Sequence, residues 1–116
     1  MNVLVLVNDP PYGTERCYNA LRLAGSLVKR EGTAVRIFLI GDAVGCAAAG
    51  QTLPNGYYHL GRMLESTIRR GAEVGLCSSC MDARALSDEA LVEGARRSSL
   101  EELADWTLWA DKVVSF

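Results

Sequence analysis

The chain has 116 residues, of which 49% are hydrophobic and 22% charged, and its formal net charge is -2. That length fits one domain with a core that needs no staples. The slight negative balance argues against a surface that works by neutralising phosphates, and no segment approaches the ~20 apolar residues that cross a bilayer, so neither nucleic acid nor membrane is expected as a partner.

Met1-Asn2 leads directly into Val3-Leu4-Val5-Leu6-Val7, with no basic region and no small-residue cleavage site, which predicts a cytoplasmic protein. The run is continuously apolar and rich in β-branched residues, as in a strand covered on both faces. Asn8-Asp9-Pro10-Pro11-Tyr12-Gly13 breaks it, because two prolines and a glycine continue neither strand nor helix. Thr14 is a plausible N-cap for a helix whose stripe is Cys17, Ala20, Leu21, Ala24, Leu27 and Val28, closed by Gly32.

Ala34 to Ile40 is a second strand, and Gly41 to Cys46 turns out of it into the small residues 47–50. Leu60, Met63, Leu64, Thr67 and Ile68 predict a second amphipathic helix ended by Gly71, before a third strand over Ala72 to Leu76. Residues 86–89 cap a short helix through Val92, and a further strand is allowed near Ser98. Ser99 with Glu102 matches a capping box opening the last helix, with Leu100, Leu103, Thr107 and Ala110 facing inward. Val113 to Phe116 closes the chain as a terminal strand. The doublets Lys29-Arg30, Arg69-Arg70 and Arg96-Arg97 read as solvated helical faces. Strand alternating with helix predicts an α/β fold, a three-layer αβα sandwich on a parallel sheet of four to five strands.

Ligands of open parallel sheets bind beyond the carboxyl ends of the strands. The three loops leaving that edge, 8–13, 41–46 and 77–84, carry the polar, glycine and cysteine residues. Cys77 sits at a strand exit just before a predicted helix start, where backbone N–H groups and the helix dipole favour a thiolate. Cys80 follows within one turn, and Arg84 lies on roughly the same helical face, where a guanidinium attracts a thiolate or persulfide anion. Asp82 is expected to orient Arg84 or cap the helix, since a carboxylate beside a thiol opposes its ionisation. Asp9, Tyr12, Asp42, Cys46 and Asp82 are candidates to line the pocket, although Asp9 and Asp42 also suit loop-holding roles.

Bland readings stand beside these. A buried cysteine is often a small hydrophobe, which fits Cys17 best and Cys46 about as well as a pocket does. A zinc site would need Cys46 or His59 to complete Cys77-x-x-Cys80, and one C-x-x-C is a weak metal signal, so no metal is expected. A thioredoxin-like dithiol lacks its tryptophan-glycine-proline context. His59 reads as a surface or interface residue, and Trp106, Trp109, Tyr57 and Tyr58 suit either an interface or the core. Neither G-x-G-x-x-G nor a Walker A motif is present.

The chain resembles the DsrE/DsrF-like family of small sulfur-relay proteins. The resemblance runs nearly end to end, carried by residues 8–13, Phe38 to Val44, Cys77 to Arg84, and Trp106 to Val113. It implies homotrimers or homohexamers with the active edge near subunit boundaries. It also implies sulfur carriage as a persulfide on Cys77, followed by a basic residue at Arg84, with sulfur donor and acceptor proteins as partners. Carriers of this family present a single cysteine followed by small apolar residues, whereas here Cys77-x-x-Cys80-Met81-Asp82 follows another pattern. The expected function is a cytoplasmic persulfide carrier, sulfurtransferase-like, with Cys77 as nucleophile and Cys80 resolving. Thiolate displacement at sulfur requires no cofactor. The alternative is a non-catalytic oligomeric module that binds a small ligand or serves assembly, and less so a zinc protein.

Overall fold

A computed structural model describes residues 1–116. Five strands, β1 (Asn2–Val7), β2 (Ala34–Leu39), β3 (Glu73–Cys77), β4 (Ala95–Ser98) and β5 (Lys112–Ser115), form one sheet in the order β4-β3-β2-β1-β5. Every pairing is parallel. The strand allowed near Ser98 is therefore β4, at one edge.

That order dictates where the helices lie. Steps from β1 to β2, β3 and β4 all run one way, so right-handed crossovers put α1 (Arg16–Leu27) and α2 (Leu60–Arg69) on the same face. The return from β4 to β5 runs the opposite way across the whole sheet, which sends α4 (Leu100–Trp109) to the other face. Alternate residues of single strands record the three layers. Val3, Val5, Ile37 and Leu76 join the main core with α1 and α2, while Leu4 and Phe38 point the other way and pack with Trp106.

α2 and the sheet follow their sequence patterns. α1 begins two residues after Thr14, because that hydroxyl donates to Asp9 Oδ2 (3.1 Å) and caps no helix. Residues 41–47 wind into a 3₁₀ helix, and residues 88–90 form a single 3₁₀ turn in place of a longer helix. Arg96 and Arg97 stand on β4, not on a helix.

The last helix departs most from its pattern. Ser99 does cap it, accepting the Glu102 N–H at 3.1 Å. The Glu102 carboxylate takes Arg96 (2.6 and 3.0 Å) and the Ser98 hydroxyl, however, so only half of a capping box forms. The inward face is Leu103, Trp106 and Ala110, and Leu100 is 69% exposed. Trp106 meets Phe38 edge-on at 6.1 Å, and the Arg36 guanidinium lies 4.0 Å from the Trp109 ring centre. The tryptophans thus serve the fold of the single chain.

Gly75 makes this packing possible. A Cβ there would stand 3.1 Å from Ser98 Cβ and 3.2 Å from the Trp106 ring.

Candidate functional site

The chain leaves β3 toward the face of α1 and α2, and leaves the adjacent β4 toward the opposite face, into α4. A divergence of neighbouring strand exits opens a crevice at their carboxyl ends, the usual ligand position in open α/β sheets. Cys77 and Ser98 are register partners at that edge. A cleft of about 540 Å³ lies there, lined by Phe38, Ile40, Cys77, Ser78, Ser79, Cys80, Asp82, Ser99, Leu100 and Glu101. Cys77 is half-buried, so its sulfur meets both the packed interior and the opening.

α3 (Ser78–Ala83) starts at once after β3, with Cys77 as its N-cap. The Cys77 sulfur accepts the Cys80 N–H at 3.3 Å and sits 3.5 Å from the Ser79 hydroxyl. An amide donor of this kind favours a thiolate over a thiol. The Cys80 sulfur accepts the Gly41 N–H at 3.2 Å, an approach set by the tight turn at Gly41 (φ +60°). The two sulfurs are in bonding contact and their Cα atoms are 5.2 Å apart, an ordinary disulfide separation. Cys77 and Cys80 are therefore a dithiol/disulfide pair at the mouth of the cleft.

Arg84 behaves differently from its expected role. Its Nε and Nη2 bind Asp42 Oδ1 (3.0 and 2.7 Å) and its Nη1 binds the Cys80 carbonyl (3.0 Å). Each of its three nitrogens holds a protein oxygen, so in this geometry the guanidinium ties α3 to the loop after β2. Asp82 does not orient it. Asp82 pairs with Arg97 at 3.0 Å, and Arg97 also binds Asp88 (2.7 Å) and the Ser78 hydroxyl (2.7 Å).

Arg97 is the residue that sequence reasoning missed. It raises no local signal, yet from β4 it fixes both ends of α3. These carboxylate partners raise its pKa above the ordinary arginine value. On the neighbouring position, hydrogen bonds from Arg96 and Ser98 hold the Glu102 carboxyl below the ordinary glutamate range.

The remaining candidates lie outside the cleft lining. Asp9 accepts from Thr14 and faces Arg16 at 3.7 Å, holding its own loop. The Tyr12 hydroxyl donates to Gln51 (2.5 Å) and accepts the Leu60 N–H (3.2 Å), pinning the start of α2. Asp42 serves Arg84. Cys46 is fully buried with its sulfur against that of Cys17. The Cα separation of that pair, 7.5 Å, exceeds what a disulfide spans without backbone movement, so the two are packed thiols. His59 caps α2, its Nδ1 accepting the Arg62 N–H (3.1 Å) while its Nε2 lies 2.8 Å from the Gln51 carbonyl oxygen. The residues that were to complete a zinc site with Cys77 and Cys80 are thus held elsewhere.

No helix is long and apolar enough to cross a membrane. A model of the DsrE/DsrF-like family matches residues 1–116. The Escherichia coli protein YchN is 40% identical over 115 residues, covering 98% of this chain and 97% of YchN. The Methanocaldococcus jannaschii protein MJ0989 is 36% identical over 116 residues and is matched along its full length. The crystal structure of YchN is similar with a TM-score of 0.93, covering 99% of this chain and 98% of that one. MTH1491 from Methanobacterium thermoautotrophicum, 11% identical, shares the fold alone at a TM-score of 0.77 over 99% and 98% of the two chains. Over its whole length, the chain belongs to the DsrE/DsrF-like family.

Proposed function

We propose that the protein is a persulfide carrier in which Cys77 accepts and donates sulfane sulfur and Cys80 resolves it. The supporting observation is the seat of Cys77, half-buried at the diverging exits of β3 and β4, with the Cys80 N–H on its sulfur and a cleft before it. The Cys77 thiolate attacks the outer sulfur of a donor persulfide. The donor S–S bond breaks, the donor leaves as a thiolate, and Cys77 holds a persulfide. An acceptor thiolate then takes the outer sulfur, and Cys77 is returned as a thiolate.

With no acceptor present, the Cys80 thiolate attacks the inner sulfur. Hydrosulfide leaves, the Cys77–Cys80 disulfide forms, and a reducing dithiol resets it by becoming a disulfide itself. Such resetting suits a reducing, cytoplasmic setting. Glu101, in no ion pair, gives the cleft rim a negative charge, so the sulfur arrives on a neutral or basic partner surface.

Self-association belongs to the same reading, as a homotrimer or homohexamer. Leu100 and Leu108 (69% and 88% exposed) lie at helical spacing on the outer side of α4, and Leu100 also lines the cleft. Equilibrium sedimentation of the protein and of Leu108→Glu tests that part.

Incubation with a sulfane donor followed by intact-mass analysis tests the carrier. The reduced protein is expected to gain one sulfur atom, and Cys80→Ser to keep it longer. Persistence of the adduct in Cys77→Ser, or its absence from the native chain, overturns the assignment.

A further inference from the structure

On the face opposite the cysteine cleft, α1 and α2 enclose a groove of about 480 Å³. Its walls are Arg22, Ser26 and Lys29 from the α1 side, and Arg62, Ser66 and Arg70 from the α2 side. Each wall reads cation, hydroxyl, cation. No carboxylate lines it, and its only hydrophobic lining is Leu21 and Met63.

The twelve lysines and arginines of the chain divide evenly. Arg16, Arg36, Arg69, Arg84, Arg96 and Arg97 pair with carboxylates; the other six do not. Four of the unpaired six face one another across this groove. In a chain of net charge -2, that clustering is not diluted composition.

Helix electrostatics explains only half of it. Lys29 and Arg70 stand at helix C-termini, which favour cations. Arg62 stands in the first turn of α2, where the helix dipole opposes a cation. Arg22 lies mid-helix, bound only to the neutral side chain of Asn19 and set 5.4 Å from the Tyr18 ring centre. Like charges gathered along one groove repel, and a bound anion removes that repulsion.

We propose that this groove binds a short chain of linked phosphates, free or carried by a nucleotide. Guanidinium forks match phosphate oxygens in pairs, and serine hydroxyls add neutral donors. The cations span seven residues of one wall and eight of the other, roughly 10–12 Å at helical rise, more than one phosphate needs. No aromatic ring lines the groove, so the base of a nucleotide finds no stacking partner there. Two apolar side chains are also too few for a protein-docking core.

Calorimetric titration of the native chain with tripolyphosphate, ATP, AMP, inorganic phosphate and a short single-stranded oligonucleotide, at matched ionic strength, is the test. Tripolyphosphate and ATP are expected to bind alike, and AMP and phosphate about tenfold or more weakly. Arg22→Gln and Arg62→Gln, both on exposed side chains, should each weaken tripolyphosphate about tenfold, while Lys112→Gln, unpaired but elsewhere, leaves it unchanged. Four outcomes overturn the proposal. These are no binding beyond that of matched sodium chloride, equal weakening by Lys112→Gln, binding of ATP without tripolyphosphate, or tighter binding of an oligonucleotide than of tripolyphosphate.

Discussion

Arg84 closes on Asp42 across 42 residues of sequence, two of its nitrogens sharing one carboxylate oxygen at 3.0 and 2.7 Å. With the Gly41 N–H on the Cys80 sulfur, this pair fastens α3 to the exit of β2. The guanidinium is therefore a brace. Arg84→Ala should leave the alkylation rate of Cys77 nearly unchanged while raising that of Cys80, read by mass-resolved iodoacetamide labelling of the reduced protein. Both side chains are well exposed, so the stability lost should stay below about 1 kcal/mol. A large fall in Cys77 reactivity would restore the guanidinium to the role its spacing suggests.

The four thiols should separate into two classes in the same labelling. Cys17 and Cys46 are fully buried and should react only when the chain is unfolded, whereas Cys77 and Cys80 react in the native state. Native-state labelling of Cys46 ahead of Cys77 would contradict this geometry.

α3 ends in an unusual way. Ala85 takes a left-handed φ of +53°, with its N–H on the Asp82 carbonyl and the Leu86 N–H on the Met81 carbonyl. This is the hydrogen-bond pattern of a helix end that normally carries glycine. Ala85→Gly should stabilise the protein by about 0.5–1 kcal/mol, since the left-handed strain exceeds the added chain entropy. A urea titration measures it.

Trp106 alone buries a large side chain between α4 and the sheet, at 3% exposure. Trp106→Ala should cost about 3–5 kcal/mol, seen as an earlier denaturation midpoint. A loss under ~1 kcal/mol would mean that α4 is not held by this contact.

Glu102 gives the pH dependence. Arg96 and Ser98 lower its folded pKa, so its contribution is fully present above the unfolded glutamate value of ~4.3. That contribution is lost as pH falls through the lowered folded value. Glu102→Gln should be less stable at neutral pH, by no more than about 1 kcal/mol for so solvated a pair, and its stability should fall less on acidification. Thermal unfolding from pH 7 to pH 3 compares the two chains.

Local pattern carried the strands and α2 because each buries a face whose period is visible in a few residues. It carried the strand-exit position of Cys77 for the same reason. The phase of α4 was ambiguous, since Leu100, Leu103 and Thr107 satisfy helical spacing as well as Leu103, Trp106 and Ala110 do. Only the sheet beneath, with Gly75 leaving room for an indole ring, decides between them. The pairings at the cleft are invisible to spacing. Asp42 and Arg84 are 42 residues apart, and Arg97 reaches Asp82 across two strands brought into register. Glu102 was drawn from its capping role by an arginine on another element.

Because a single helix carries the chain back across the whole sheet, order of assembly acquires a meaning. A polypeptide folding from its first strand holds Cys77 at an open sheet border until β4 zips alongside, and closing the last strand against the first needs partners over 100 residues apart. Late, long-range closure of this kind is slow relative to local helix formation. The crevice that shelters the thiol pair needs β4 and the first turn of α4, so the sulfur is unprotected until those residues join the sheet.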